Sequence, residues 1–159
     1  MRPYCLSRTP VYTGWVITAK IETLGMDPTN GSVVVLLKAA SGSFLPIIIG
    51  ALEAQHIMAG LAGEPPSRPL TPDLFISTLD LLGVRIVRLE IVDLREGTFY
   101  ARLVLEQRGL EYEVDARPSD GMALAIRAKA PILVAEQVLE DAGVDEASIE
   151  HHTGERPQA

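Results

Sequence analysis

The chain has 159 residues, 47% of them apolar but only 5% aromatic, and a formal charge of −7. This length suits one compact domain, and the apolar content excludes disorder throughout while requiring a core of Val, Ile, Leu and Ala. No window approaches the roughly 18 unbroken apolar residues of a membrane helix, and residues 1–10 lack the apolar stretch of a signal peptide, so a cytoplasmic protein with no membrane partner is expected.

In chain order, Cys5 comes first; as the sole cysteine it excludes an intramolecular disulfide framework and any multi-cysteine metal site. Residues 11–24 read as a strand because β-branched and apolar residues dominate them, and Asp27-Pro28-Thr29-Asn30-Gly31 reads as the following turn. Residues 32–39 and 44–49 are two further strands. The apolar period then becomes helical through residues 51–62, with Gly63 as the stop. Pro65, Pro66 and Pro69 make 63–69 a stiff exposed loop, since proline removes donors and keeps its predecessor out of the α region. A second helix is expected next, with Thr71 as N-cap, Pro72 at its first position and Asp73 near the positive end of the dipole. Its stripe of Leu74, Ile76, Leu79 and Leu82 stops at Gly83.

Residues 84–93, 98–107 and 110–116 follow as strands, joined by hairpin turns at Glu96-Gly97 and Arg108-Gly109. A third helix over 122–128, a short strand over 131–135 and a last short helix over 136–142 complete the pass. Strands and helices come in blocks, so the expected class is α+β: a single domain with a mostly antiparallel sheet from two three-strand meanders, each followed by helix. That domain covers 1–143, and 144–159 is an acidic, flexible C-terminal tail. The open edges of two meanders make a homo-oligomer, with a dimer favoured, the expected assembly.

The negative charge is concentrated at the C-terminus. From Glu136 onward seven acids face Arg156 alone, which leaves residues 1–135 nearly neutral. The basic residues there are mostly arginines, the better bidentate partners of phosphate. A local anion site is therefore allowed, whereas a protein that coats DNA is not. Walker, dinucleotide-binding, zincin and nucleophile-elbow signatures are missing. His151 and His152 lie in the tail and read as an exposed pair without a role; His56, on the first helix, is ordinarily a surface or core residue and alternatively a functional one.

The densest chemistry is Asp115-Ala116-Arg117-Pro118-Ser119-Asp120, at a strand-to-helix junction where unpaired N–H groups favour an anion. A hard cation needs oxygen ligands, and Asp115 and Asp120 with Glu53 supply them. The alternative is a capping and turn device in which Ser119 or Asp120 caps the helix and Arg117 bridges to a structural carboxylate. Arg68, on the proline loop ahead of Thr71, is a second candidate anion contact.

Taken in order, Ile49-Gly50-Ala51-Leu52-Glu53-Ala54, Arg68-Pro69-Leu70-Thr71-Pro72-Asp73-Leu74, Asp93-Leu94 with Gly97-Thr98-Phe99-Tyr100-Ala101, and Asp115 to Asp120 resemble the bifunctional nuclease domain family over residues 11–143. The resemblance implies divalent-cation-dependent cleavage of RNA and DNA. On that reading Glu53, Asp115 and Asp120 are the catalytic carboxylates and the ligands of Mg²⁺ or Mn²⁺, Arg68 and Arg117 clamp phosphate, and Ser119 and Thr71 complete the substrate contacts. Two positions depart from the family: Pro72 stands where it usually has His, so His56 would have to supply an imidazole, and Gly121 stands where it commonly has Ala. The rival reading is a non-enzymatic homo-oligomeric regulatory or small-anion-binding module, favoured by the acidic balance and sparse aromatics.

Overall fold

The computed structural model describes residues 14–153; Cys5, Arg156 and residues 11–13 of the first expected strand lie outside them. Strands β1 (Val16–Met26), β2 (Val33–Ala39) and β3 (Phe44–Ile49) lead into helices α1 (Ala51–Leu61) and α2 (Thr71–Leu81). Strands β4 (Arg85–Arg95), β5 (Thr98–Gln107) and β6 (Leu110–Ala116) precede α3 (Pro118–Ala128), β7 (Ile132–Ala135), α4 (Glu136–Ala142) and α5 (Glu146–Thr153). Helix α5 falls inside the segment read as a tail. Among the described residues, no helix is long and apolar enough to cross a membrane.

The α+β class holds, but the sheet differs from expectation. All seven strands form one mixed sheet in the order β3-β2-β1-β7-β4-β5-β6, in place of a mostly antiparallel sheet of two meanders. Strand β7 is the reason. It lies antiparallel to β1 and parallel to β4, pairing Ile17 with Val134 on one side and Ile91 with Val134 on the other. A four-residue apolar run carries no signal for its partners or their direction, because it can be buried in either kind of ladder.

Alternation of side chains sorts the sheet into two faces. One carries Val35, Leu37, Ile47, Ile132, Leu89 and Leu103, which form the core with Ala54 and Ile57 of α1 and Met122 of α3. The other carries a charged ladder: buried Glu90 accepts from Arg88 (2.6 Å) and from Arg102, whose Nη1 also donates to Glu113 (3.1 Å). Arg88 binds Glu111 through both terminal nitrogens (2.9 and 3.0 Å) and is held further toward its charged form by that carboxylate, against the opposing cost of burial. On this face the charges are paired across β4, β5 and β6.

The punctuation of the helices follows local chemistry. At the end of α2, Gly83 takes a positive φ of 67° while its N–H and that of Val84 return to the carbonyls of Asp80 and Leu79, the closing pattern that a left-handed residue permits. Helix α2 begins one residue earlier than expected: Leu70 is the N-cap and Thr71 the first helical residue. Because Leu has no side-chain acceptor, only the reciprocal half of a capping box forms, with the Leu70 N–H donating to Asp73 Oδ2 at 2.9 Å. Thr71 is freed from capping and faces the site described below.

Gly121, which costs helix propensity, has a packing role. A Cβ built there would stand 2.3 Å from Cδ1 of Leu89, a core side chain with no exposure, so α3 rests its backbone directly on β4. Gly121→Ala is expected to lower stability by about 1–3 kcal/mol through overpacking, despite the better helix former. Chemical denaturation of Gly121→Ala and of Gly121→Ala/Leu89→Val checks this, because the smaller residue at position 89 should restore most of the loss.

Candidate functional site

Three helix starts carry the same device. Each of α1, α2 and α3 has an acid at its third position, Glu53, Asp73 and Asp120, where a carboxylate favours the positive end of the helix dipole. Each of these acids is also held by a guanidinium. Arg117, the N-cap residue of α3, donates to Asp120 through Nε (2.7 Å) and Nη2 (3.1 Å) and to Glu53 through Nη1 (3.0 Å). These contacts raise its pKa, the hydrogen bond to Asp120 contributing most. Since Glu53 follows β3 and Arg117 follows β6, this pair ties together the chain segments that leave the two edge strands.

Arg127, near the end of α3, clamps the other helices. Its Nε donates to Asp73 of α2 (2.6 Å), and its Nη1 donates to the carbonyls of His56 in α1 (2.9 Å) and Ala123 in its own helix (2.8 Å). With only 9% of its side chain exposed, it is a buried charge with its partners in place. Burial pushes the Asp73 carboxyl up, but the hydrogen bonds from Arg127 and the Leu70 N–H outweigh it, and the net shift is downward. Sequence reasoning missed Arg127, since an arginine late in an apolar helix reads as a favourable C-terminal charge and its partners lie 54 and 71 positions away.

The clamped helices and β6 enclose a concavity of about 590 Å³. Leu52, Glu53 and His56 line it from α1, Thr71, Pro72 and Phe75 from α2, Leu103 from β5, Val114 to Ala116 from β6, and Arg117, Asp120 and Leu124 from the α3 side. Glu53, Asp120, Arg117 and Thr71 are thus brought together as the sequence suggested, and His56 joins them beside buried Pro72. A second, smaller hollow of about 390 Å³ shares Glu53 and Arg117 as a wall and includes Ser119, which is 6% exposed and sits at the second position of α3 instead of capping it. Arg68 does not join: it is exposed on the proline loop and lines neither hollow.

Asp115 borders the concavity but is turned from it. The register sets Asp115 opposite Arg102, while Val114 and Ala116 oppose core residues Leu103 and Ala101. The pleat therefore sends its carboxylate to the charged face of the sheet, away from Glu53 and Asp120. Among the described residues, no three His, Cys, Asp or Glu side chains converge on a metal position. Glu53 and Asp120 are near each other, but the Arg117 guanidinium lies between them. As arranged, this donor set does not fit a divalent cation.

The model of the bifunctional nuclease domain matches residues 34–147. The chain belongs to this family. The bifunctional nuclease domain here is 42% identical over 133 residues to an uncharacterized protein of Mycobacterium tuberculosis, a match covering 82% of this chain and 79% of that one. It is also similar to "Bifunctional nuclease 1" of Oryza sativa subsp. indica (28% over 115 residues; 69% of this chain, 35% of that one). Its match to "Bifunctional nuclease 1" of Arabidopsis thaliana is 26% over 106 residues, 65% of this chain and 33% of that one. The chain spans about a third of the length of these plant proteins.

Within this bifunctional nuclease domain, the Arg127 clamp sets the shape of the concavity. Arg127→Leu should cost roughly 3 kcal/mol, because the Asp73 charge and the His56 carbonyl lose their partner. The lowered Asp73 pKa makes its contribution complete above the unfolded value of 3.8 and lost as pH falls through the folded value. Thermal melts from pH 7 to pH 2.5 check both: Asp73→Asn should be less stable than wild type at pH 7, and the two should converge at the acid end.

Proposed function

We propose that the protein cleaves phosphodiester bonds of nucleic acid at the concavity between α1, α2, α3 and β6. The observation that carries this reading is convergence. Segments that bear the family's motifs, with Glu53 and Arg117 64 positions apart in the chain, meet at one concave site.

The roles follow from the geometry. A guanidinium has five N–H donors, and Arg117 uses three of them on Glu53 and Asp120. The two that remain belong to a side chain 64% exposed, held from behind by two carboxylates and therefore oriented before a phosphate arrives. His56 supplies an imidazole to the same concavity, a group able to take a proton from the attacking oxygen or return one to the leaving oxygen. Glu53 and Asp120 act as positioning residues for Arg117. Of the ligands expected for Mg²⁺ or Mn²⁺, Glu53 and Asp120 are engaged by Arg117 and Asp115 takes the other face of the sheet; loss of cleavage on chelation with EDTA tests dependence on either ion.

A non-enzymatic, homo-oligomeric anion-binding module is the second reading. It is favoured by the pairing of all three helix-start carboxylates with guanidinium groups, an arrangement sufficient for structure alone. The dimer remains a proposal as well, based on β3 and β6 as edge strands; light scattering should then give twice the 17.2 kDa chain mass.

End-labelled single-stranded RNA and DNA, incubated with Mg²⁺, Mn²⁺ or EDTA, test the enzymatic reading. His56→Ala is expected to slow cleavage by about 100-fold or more, and Arg117→Met to weaken substrate binding, with the melting curve of each showing a folded protein. Equal cleavage by wild type and both variants would point to a contaminant. Absence of cleavage, with inorganic phosphate still bound, would establish the module.

A further inference from the structure

We infer that the concavity receives an unpaired, amino-bearing nucleobase, so that the site acts on single strands and is closed to stacked duplex. This rests on the nucleic-acid reading of the same site and names the part of the substrate that enters it. Charge decides against phosphate as the deep occupant. With Asp115 turned to the other face of the sheet, the ionisable groups that face the concavity are the carboxylates of Glu53 and Asp120 against the single guanidinium of Arg117, with His56 beside them, an acidic balance that disfavours a polyanion everywhere except at the exposed guanidinium.

The walls fit a flat, uncharged ring. Leu52, Pro72, Leu103 and Leu124 line the concavity together with Phe75, which is 42% exposed and supplies an aromatic ring of the kind on which bases stack with little regard to sequence. The volume of about 590 Å³ lies within the range of roughly 300–1,000 Å³ typical of small-molecule sites. Specificity comes from the acids. After binding Arg117, the carboxylates of Glu53 and Asp120 keep lone pairs, and a carboxylate can only accept. They match the N–H edges of guanine, adenine and cytosine better than uracil, which has no amino group. Phosphate then sits at the mouth on Arg117 while the base fills the interior. In a duplex those N–H edges are paired and the ring faces are stacked, so entry requires a base already free or turned out of the helix.

Saturation-transfer NMR and calorimetry on the whole chain test this with four nucleosides, which lack phosphate, and with ribose 5-phosphate, which lacks a base. Guanosine, adenosine and cytidine are expected to bind several-fold more tightly than uridine and to hold their affinity between 50 and about 200 mM salt, where phosphate contacts would weaken steeply. Phe75→Ala should lose about tenfold or more of that affinity and Phe75→Trp should keep it, which separates a lost stacking face from a misfolded variant. Binding of ribose 5-phosphate in preference to the nucleosides, or equal nucleoside binding by wild type and Phe75→Ala, overturns the inference. Cleavage assays keep the two readings apart. Nucleoside binding without cleavage of any strand sinks the nuclease alone, whereas equal cleavage of single strand and duplex sinks the base pocket alone.

Discussion

Arg127 donates to α2 through Asp73, to α1 through the His56 carbonyl and to its own helix through Ala123. A guanidinium with so little solvent contact cannot be left short of acceptors without a penalty of several kcal/mol, so the three helices are held at one spacing. That spacing decides whether Glu53, His56, Thr71, Phe75, Arg117 and Asp120 border one concavity or lie scattered over a surface. The core beneath adds a second constraint, because Gly121 brings α3 against Leu89 of β4 and leaves little freedom for α3 to slide.

The acids at the three helix starts serve stability and site geometry through the same contacts. A carboxylate at the third position gains from the helix dipole in any protein, and Glu53 and Asp120 gain further by binding Arg117. The result is an exposed guanidinium with a fixed direction, which an isolated surface arginine lacks because its long side chain samples many rotamers. The same two contacts place the guanidinium between Glu53 and Asp120, so as arranged these carboxylates hold an arginine and not a shared cation.

Much of the local structure was legible. Turn chemistry at Asp27 to Gly31, the helical period through α1, the arrest of α2 at Gly83 and the hairpins at Glu96-Gly97 and Arg108-Gly109 each rest on interactions within a few residues, and each stands in the structure at its expected place. At the start of α2, Thr71 is the better capping type by chemistry, yet Leu70 holds the extended backbone of the N-cap. In the site, the motif order pointed to Glu53, Thr71, Arg117 and Asp120, and these do meet. Asp115 is near Asp120 in sequence, but strand alternation separates the two in space.

Sequence alone therefore determined the α+β class, the family and the residue types near the site, since propensity, turn chemistry and motif order act over short stretches of chain. Tertiary structure decided where β7 enters the sheet, which face Asp115 takes, and that Arg117 and Arg127 serve as the cations of the helix starts. Those outcomes depend on pairing across dozens of residues. A four-residue apolar strand or a single arginine fits many partners, and only the packed chain selects one.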